Sequence, residues 1–294
     1  MKTSLKITLA CTLFGAGLLI GTPRAHAALL AYEGFDYDAG NVNGDNGGTG
    51  WSAAWVSSTS PVAYANVVTG TPMAYSGGAI SITGSGTALS ITGGGEGLLN
   101  RPFVGIDSGS EIYFSFLFRA VAGGGNEFFH FYLSDDPDRF NSGGIGDFYT
   151  ASGDAHFGAR INDGTGDTTS ASSISYTIGA TYLLVGRLST DGTSGASADI
   201  VDQVELWVNP TSLTPGTADA TVNASTGLTI GDFDIFSSRM VNFADSDEIL
   251  IDELRIGTDF SSVVTVPEPS VGGLAFLGGA SLLALCRKTS RRAP

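Results

Sequence analysis

Eight residues carry the side-chain chemistry most readily put to use. They are Tyr113, Arg119, His130, Tyr132, His156, Arg160, Glu205 and Trp207. Each sits one step out of phase with an apolar run. Tyr113 and Arg119 flank the run Ile112, Phe114, Phe116 and Phe118. His130 and Tyr132 interleave Phe129, Phe131 and Leu133. His156 and Arg160 flank Phe157, Ala159 and Ile161. Glu205 and Trp207 interleave Val204, Leu206 and Val208. If those strands are neighbours, one face collects aromatic, His, Arg and Glu groups. Such a face binds sugars, because rings stack on pyranoses and polar heads bond hydroxyls. If loops or another sheet cover it, the same residues are merely packed.

Other chemistry is thin. His130 and His156 have no recognisable Ser-His-Asp setting. The loop Asp135, Asp136, Asp138 offers hard oxygens but lacks EF-hand spacing and its glycine. Gly93-Gly94-Gly95 and the run from Asp163 to Asp167 do not lead from a strand into a helix, so they read as turns and not as phosphate cradles. The two cysteines, Cys11 and Cys286, lie at the chain ends. No thiol nucleophile or cysteine zinc site is available between them.

The elements that would position these residues are strands. Apolar and polar residues alternate in short runs bounded by Gly, Asp, Ser and Thr. Leu184 and Leu188 continue the pattern, and residues 249–256 form a strong last strand. Ile80 and Ile82, then Leu89 and Ile91, predict an earlier strand pair across Gly84-Ser85-Gly86. No long helical period occurs between residues 28 and 266. The expectation is an all-β fold of two packed sheets, since each sheet needs one buried face.

Charge narrows the partners. The chain has 294 residues and a formal net charge of −15. Residues 28–266 hold seven arginines, no lysine and 28 acidic residues, a formal charge of −21. That argues against nucleic acid, which needs clustered cations, and against an anionic membrane surface. The remaining basic residues sit at the two ends.

Those ends read as addresses. Residues 1–27 have a basic start, an apolar stretch and the small-x-small site Ala25-His26-Ala27, the layout of a signal peptide read by the Sec export machinery. At the other end stand Val266, Pro267, Glu268 and Pro269. An apolar, glycine-rich stretch follows at 271–286, about 16 residues or roughly 24 Å as a helix. Arg287, Lys288, Arg291 and Arg292 close the chain. Basic residues after an apolar stretch hold the tail on the cytoplasmic side of the inner membrane. This triad of parts resembles the PEP-CTERM sorting signal of Gram-negative bacteria. The resemblance implies recognition by an exosortase, then residence at the cell surface or in an exopolysaccharide-rich matrix. The expected division is 1–27 signal peptide, 28–262 sandwich and 263–294 sorting signal with one transmembrane helix.

The body carries a second resemblance. Tyr32-Glu33-Gly34-Phe35-Asp36-Tyr37, then Asn46-Gly47-Gly48-Thr49-Gly50-Trp51 and Trp55, stand near its start. Val204-Glu205-Leu206-Trp207-Val208-Asn209-Pro210 and Ile251-Asp252-Glu253-Leu254-Arg255-Ile256-Gly257 stand near its end. The arrangement resembles concanavalin A-like or laminin-G-like jelly rolls. It implies a curved sandwich whose first and last strands pair, bringing Glu33 toward Asp252, where the two carboxylates could hold a structural Ca²⁺. Glycosidases of this kind use paired carboxylates in a Glu-x-Asp-x-x-Glu pattern, which is missing here; Asp245, Asp247 and Glu248 have the wrong spacing. The expectation is therefore a non-catalytic surface or matrix protein tied to exopolysaccharide. A dedicated carbohydrate-binding module is the alternative, and a glycoside-active enzyme a weaker one.

Overall fold

A computed structural model describes residues 29–57, 64–93, 95–105, 111–123, 127–137, 141–148, 156–190, 200–229, 231 and 233–265. The signal-peptide segment 1–27 and the sorting segment from Pro267 onward lie outside the described residues. Among the described residues, no helix is long and apolar enough to cross a membrane.

The chain is all-β. A large sheet contains β1 (Leu29–Glu33), β2 (Gly40–Asn41), β4 (Ala65–Thr69), β7 (Thr87–Thr92), β9 (Glu111–Ala122), β14 (Thr181–Ser189), β15 (Ile200–Val208), β16 (Ala220–Thr229) and β18 (Glu248–Gly257). Its order is β16-β15-β14-β9-β18-β7-β4-β2, with β1 also paired to β18. A smaller sheet contains β3 (Val56–Ser57), β8 (Gly95–Pro102), β10 (Phe128–Ser134), β11 (Ser142–Asp147), β12 (His156–Asn162), β13 (Asp167–Ser175) and β17 (Ile235–Phe243). Its order is β13-β12-β11-β10-β17-β8-β3. The first and last strands pair antiparallel, Tyr32 opposite Arg255 and Glu33 opposite Leu254.

The core lies between the sheets and follows the alternation in the sequence. Phe114, Phe116 and Phe118 of β9 meet Phe129 and Phe131 of β10. The rings of Phe116 and Phe131 are 4.7 Å apart, and those of Phe118 and Phe129 4.8 Å. Aromatic and β-branched residues fit a pleated, buried surface, which is why these segments are strands. Ala159, Ile161, Leu184, Leu188, Val204 and Leu206 complete the same layer.

A second apolar layer lies outside the large sheet. The hairpin β5 (Ala74–Gly77) and β6 (Ile80–Thr83) and the short helix α1 (Phe260–Val264) cover that face. Met73, Ile80, Ile82, Tyr113, Leu117, Leu183, Val185, Trp207, Leu250, Phe260, Val263 and Val264 pack together there. Asp259 caps the helix by accepting from Ser262 N at 2.9 Å. Ser115 Oγ ties it down by donating to Val263 O at 2.5 Å.

One expectation is corrected. Ile80–Ile82 and Leu89–Ile91 do not form a strand pair: β6 pairs with β5, whereas β7 pairs with β4 and β18. Gly84-Ser85-Gly86 carries the chain from the outer layer into the large sheet, so the two apolar runs serve opposite faces of it. Packed residues continue past 262: Val263 and Val264, the last residues of α1, are fully buried.

Candidate functional site

The eight candidate residues do not share a face. Tyr113 and Arg119 (β9) and Glu205 and Trp207 (β15) point outward from the large sheet. His130 and Tyr132 (β10) and His156 and Arg160 (β12) belong to the small one. The single collecting face expected from the sequence is therefore split between opposite sides of the sandwich.

On the large sheet the candidates are packed. Trp207 is 4% exposed, meets Phe260 edge-on at 5.5 Å, and donates from Nε1 to Gly216 O at 3.0 Å. Tyr113 meets Phe260 at 6.1 Å. Glu205 is ion-paired with Arg187, which also reaches Glu111 at 3.2 Å. The Arg187 guanidinium lies 5.9 Å from the Tyr113 ring and 5.6 Å from the Trp207 ring. Arg119 donates to Thr181 Oγ1 at 2.9 Å and to Pro72 O at 3.1 Å. These groups already have partners inside the fold, so this face is corrected from a sugar platform to a second core layer.

The small sheet is different. Register places Asn100, Ser237, Tyr132, Gly144 and Arg160 in one row across β8, β17, β10, β11 and β12. The next row holds Arg239, His130, Gly146 and Gly158. The two β11 glycines are required by close approach: a Cβ at Gly144 would strike Tyr132, and one at Gly146 the Phe129 carbonyl. His130 stacks on Tyr132 at 4.7 Å and meets Phe148 edge-on at 5.3 Å. Its Nδ1 lies 3.4 Å from Arg160 Nη1, and Arg160 pairs with Asp167 at the sheet edge. The guanidinium groups of Arg160 and Arg239 lie 5.4 and 5.3 Å from the Phe128 ring centroid. His156 is half-buried beside a bulge, 3.4 Å from Ser175 Oγ.

Polar atoms on this face are buried without a hydrogen-bond partner: His130 Nε2, Ser237 Oγ, Asn100 Oδ1 and Ser134 Oγ. Burial holds the His130 imidazole well below its ordinary pKa, and the Arg160 and Arg239 charges push the same way; the Gly144 backbone opposes them. The ring is therefore neutral at pH 7. The sequence supplied His130, Tyr132 and Arg160 of this constellation. It missed Phe128, Arg239, Asn100, Ser237 and Phe148. Phe128 was within reach, since it continues the outward phase of His130 and Tyr132.

The expected pair of metal ligands is also changed. Glu33 is 1% exposed and its oxygens are taken. They accept from Phe35 N at 2.7 Å, Tyr37 Oη at 2.6 Å and Trp55 Nε1 at 3.4 Å, and they pair with Arg101. Arg101 in turn lies 4.7 Å from the Trp51 ring and 5.4 Å from Trp55. Glu33 thus meets its positive charge in a guanidinium. Asp252 does not: its Oδ1 accepts from Glu253 N at 2.7 Å, but Oδ2 is buried and unpartnered. Oδ2 occupies a cradle against Gly84, where a Cβ would overlap it. Burial pushes Asp252 up to about 8, helped by Glu253, Asp36 and Glu33, and the Glu253 amide opposes. Phe35 and Glu253, on either side, hold left-handed φ values of 53° and 54°, which non-glycine residues adopt at a cost of about 1–3 kcal/mol each. Among the described residues no group of three or more His, Cys, Asp or Glu stands ready for a metal.

Of the acidic loop, Asp138 lies outside the described residues, and Asp135 accepts from Asn141 Nδ2 at 3.2 Å. A cleft of about 190 Å³ is lined by Asp135, Asn141, Asp163 and Phe233. Burial would raise Asp163, but donors from Thr165 and Thr226 outweigh it and hold the carboxyl well below its usual range.

No protein-family model and no curated protein matches the chain. Solved structures share its general shape at a distance. Domain 4 of AbnA, a GH43 extracellular arabinanase from Geobacillus stearothermophilus solved with arabinotriose, is 17% identical, with 81% of this chain and 97% of that one covered and a TM-score of 0.45. A glycosyl hydrolase family protein from Mycobacterium fortuitum is 13% identical, covering 78% and 99%, with a TM-score of 0.44. The carbohydrate recognition domain of Emp47p is 10% identical, covering 74% and 93%, with a TM-score of 0.41. At these values the likeness is too distant to carry a ligand or an activity over to this chain.

Proposed function

We propose that this chain is a non-catalytic carbohydrate-binding protein of the cell surface or extracellular matrix, with its ligand on the outer face of the small sheet. One observation carries this. Buried polar atoms without partners cost about 1–3 kcal/mol each, and a native fold tolerates few of them. Here they stand in adjacent register on one face, among stacked aromatic rings and guanidinium groups. These atoms are closed to solvent in the folded chain, so hydroxyl-bearing ligands supply the missing donors and acceptors once the cover over them shifts. The half-buried Phe128 and Arg239 give the ligand its first contact. The test is affinity electrophoresis of the protein through a panel of polysaccharide gels. Retardation by at least one polysaccharide, weakened in Phe128→Ala, is the expected result; uniform mobility across the panel overturns the proposal. Release of reducing sugar would overturn its non-catalytic part.

The body is in this view a concanavalin A-like jelly roll, stabilised by Ca²⁺ at Asp252 with Asp36, an ion that would neutralise the buried carboxylate. Residues 1–27 export the chain, and the segment from Pro267 through Arg292 is a PEP-CTERM signal for an exosortase. The motif order in those segments supports this part. Mass determination of the native termini tests it: an N-terminus at Met1, or a C-terminus at Pro294 in the mature protein, would count against it.

A further inference from the structure

We infer that the free edge of β13 joins a second copy of this chain, strand to strand and antiparallel, on a two-fold axis at Thr169. The two flanks of the sandwich end differently. On one, the large sheet stops at β2 and the small sheet at β3, strands of two residues each among those described. On the other, the sheets stop at β16, ten residues long, and β13, nine residues long. A strand at a sheet edge presents a row of unmet backbone donors and acceptors. Natural proteins blunt such rows with short strands, charges, proline or bulges. The first flank is blunted by its short strands. β13 pairs with β12 alone among the described residues, and it has no proline, no lysine and one charge, Asp167. Asp167, Thr168, Thr169, Ala171, Ser173 and Ser175 are exposed, so the strand lies on the surface. Its irregularity falls beyond Ala171, where the register with β12 shifts and Ser172 Oγ accepts from the Ile174 amide at 3.1 Å. From Asp167 to Ala171 the register is unbroken. That stretch is a straight, neutral template for another strand. Its neighbour β16 has no charged residue and widens the neutral flank, tied to the β12–β13 turn by Thr226 Oγ1 donating to Asp163 at 2.6 Å.

Charge selects a second copy as the occupant. Residues 28–266 carry a formal −21, so two copies repel over most of their surface. Along β13 the one carboxylate is met within its own chain, by Arg160 and by Asn162 Nδ2 at 2.6 Å. An axis at Thr169 sets Thr169 against its own copy, Thr168 against Ser170 and Asp167 against Ala171. The two Asp167 side chains then stand four residues apart along the strands, about 13 Å. That exceeds the screening length of about 8 Å at physiological salt. Thr and Ser facing each other across strands exchange hydroxyl hydrogen bonds, and one self-complementary patch serves both copies, as a two-fold interface requires. A sugar chain would use the hydroxyls, but only another strand matches the repeating N–H and C=O row.

The test is sedimentation velocity of the full chain across a concentration series at low and high salt. A monomer–dimer equilibrium is expected, and added salt should tighten it by screening two acidic bodies from each other; a dimer that loosens in salt overturns the inference. Thr169→Lys opposes like charges at the axis and should weaken the dimer at least about tenfold. Thr83→Lys adds the same charge on the hairpin over the large sheet and should not weaken it. Both positions are exposed, and unchanged melting temperatures separate lost pairing from lost folding. Thr169→Cys, after oxidation, should link two copies through position 169, read as a cross-linked peptide by mass spectrometry. Ser175→Cys, at the far end of the strand, should not. A chain that stays monomeric throughout, a dimer as strong in Thr169→Lys as in the parent, or a cross-link no more frequent at 169 than at 175 overturns the inference.

Discussion

The two outer faces of this sandwich are built from the same kinds of residue and end in opposite states. Each has aromatic rings, an arginine stacked near them and hydroxyl groups on alternate positions. On the large sheet, Arg187 meets two carboxylates, Trp207 has an acceptor, and Ser115 bonds the helix that covers it. On the small sheet, Ser237 and His130 Nε2 are buried and have no such acceptor or donor. The difference comes from what lies on top. A hairpin and a helix contribute Ile80, Ile82, Phe260, Val263 and Val264 to the large sheet. No described helix or hairpin does so for the small one. Both faces are closed to solvent, the first by apolar packing and the second over polar atoms that lack hydrogen-bond partners.

That contrast can be broken most forcefully at Trp207. Trp207→Ala should cost about 3–5 kcal/mol, the range for a buried tryptophan, and lower Tm accordingly, while polysaccharide binding by the folded protein stays unchanged. A loss of that binding in calorimetry would show that the large-sheet face binds after all. The two serines give the sharper comparison. Ser115→Ala removes a made hydrogen bond and leaves Val263 O buried, so it should destabilise by about 1–3 kcal/mol. Ser237→Ala removes an unpartnered hydroxyl and should be neutral or stabilising by up to about 1 kcal/mol. Equal losses in denaturant melts would erase the distinction between the faces.

The closed face has an exception, Asp252, and the core between the sheets has another, Asp147. Burial raises Asp147 to about 7, against bonds from Tyr176 and the His156 backbone. Asp252 is raised to about 8. Both folded-state values exceed the unfolded value near 4. The folded chain therefore holds protons that the unfolded chain has lost, and the stabilisation from this is fully present below about pH 4. It is lost as pH rises through about 7 and 8. Tm measured without calcium should fall across that window, and Asp252→Asn should flatten the upper part of the fall. Adding Ca²⁺ at pH 8 should raise Tm in the parent and not in Asp252→Asn. A flat parent profile would show that neither carboxyl holds its proton.

Much of this was legible in the chain. Phe114, Phe116 and Phe118, like Phe129, Phe131 and Leu133, are apolar on alternate positions, and a strand's side-chain period of two sends them to one face whatever its neighbours are. The pairing of first and last strands followed from the resemblance at Tyr32 to Tyr37 and Ile251 to Gly257. What the sequence did not show beside the expected pair Glu33 and Asp252 is Arg101, far away in sequence, which pairs with Glu33.

By itself the sequence determined the class of fold, which residues point inward on each strand, and the acidic, lysine-free character of the body. It also determined that His130, Tyr132 and Arg160 point the other way. Tertiary structure alone decided that Tyr113 and Trp207 lie across the molecule from them, under α1. Alternation is a property of one strand and is silent about which strand lies beside it. Neighbours are chosen by backbone hydrogen bonds between segments as distant as β1 and β18, and the same outward phase becomes a second apolar core on one sheet and a buried polar face on the other.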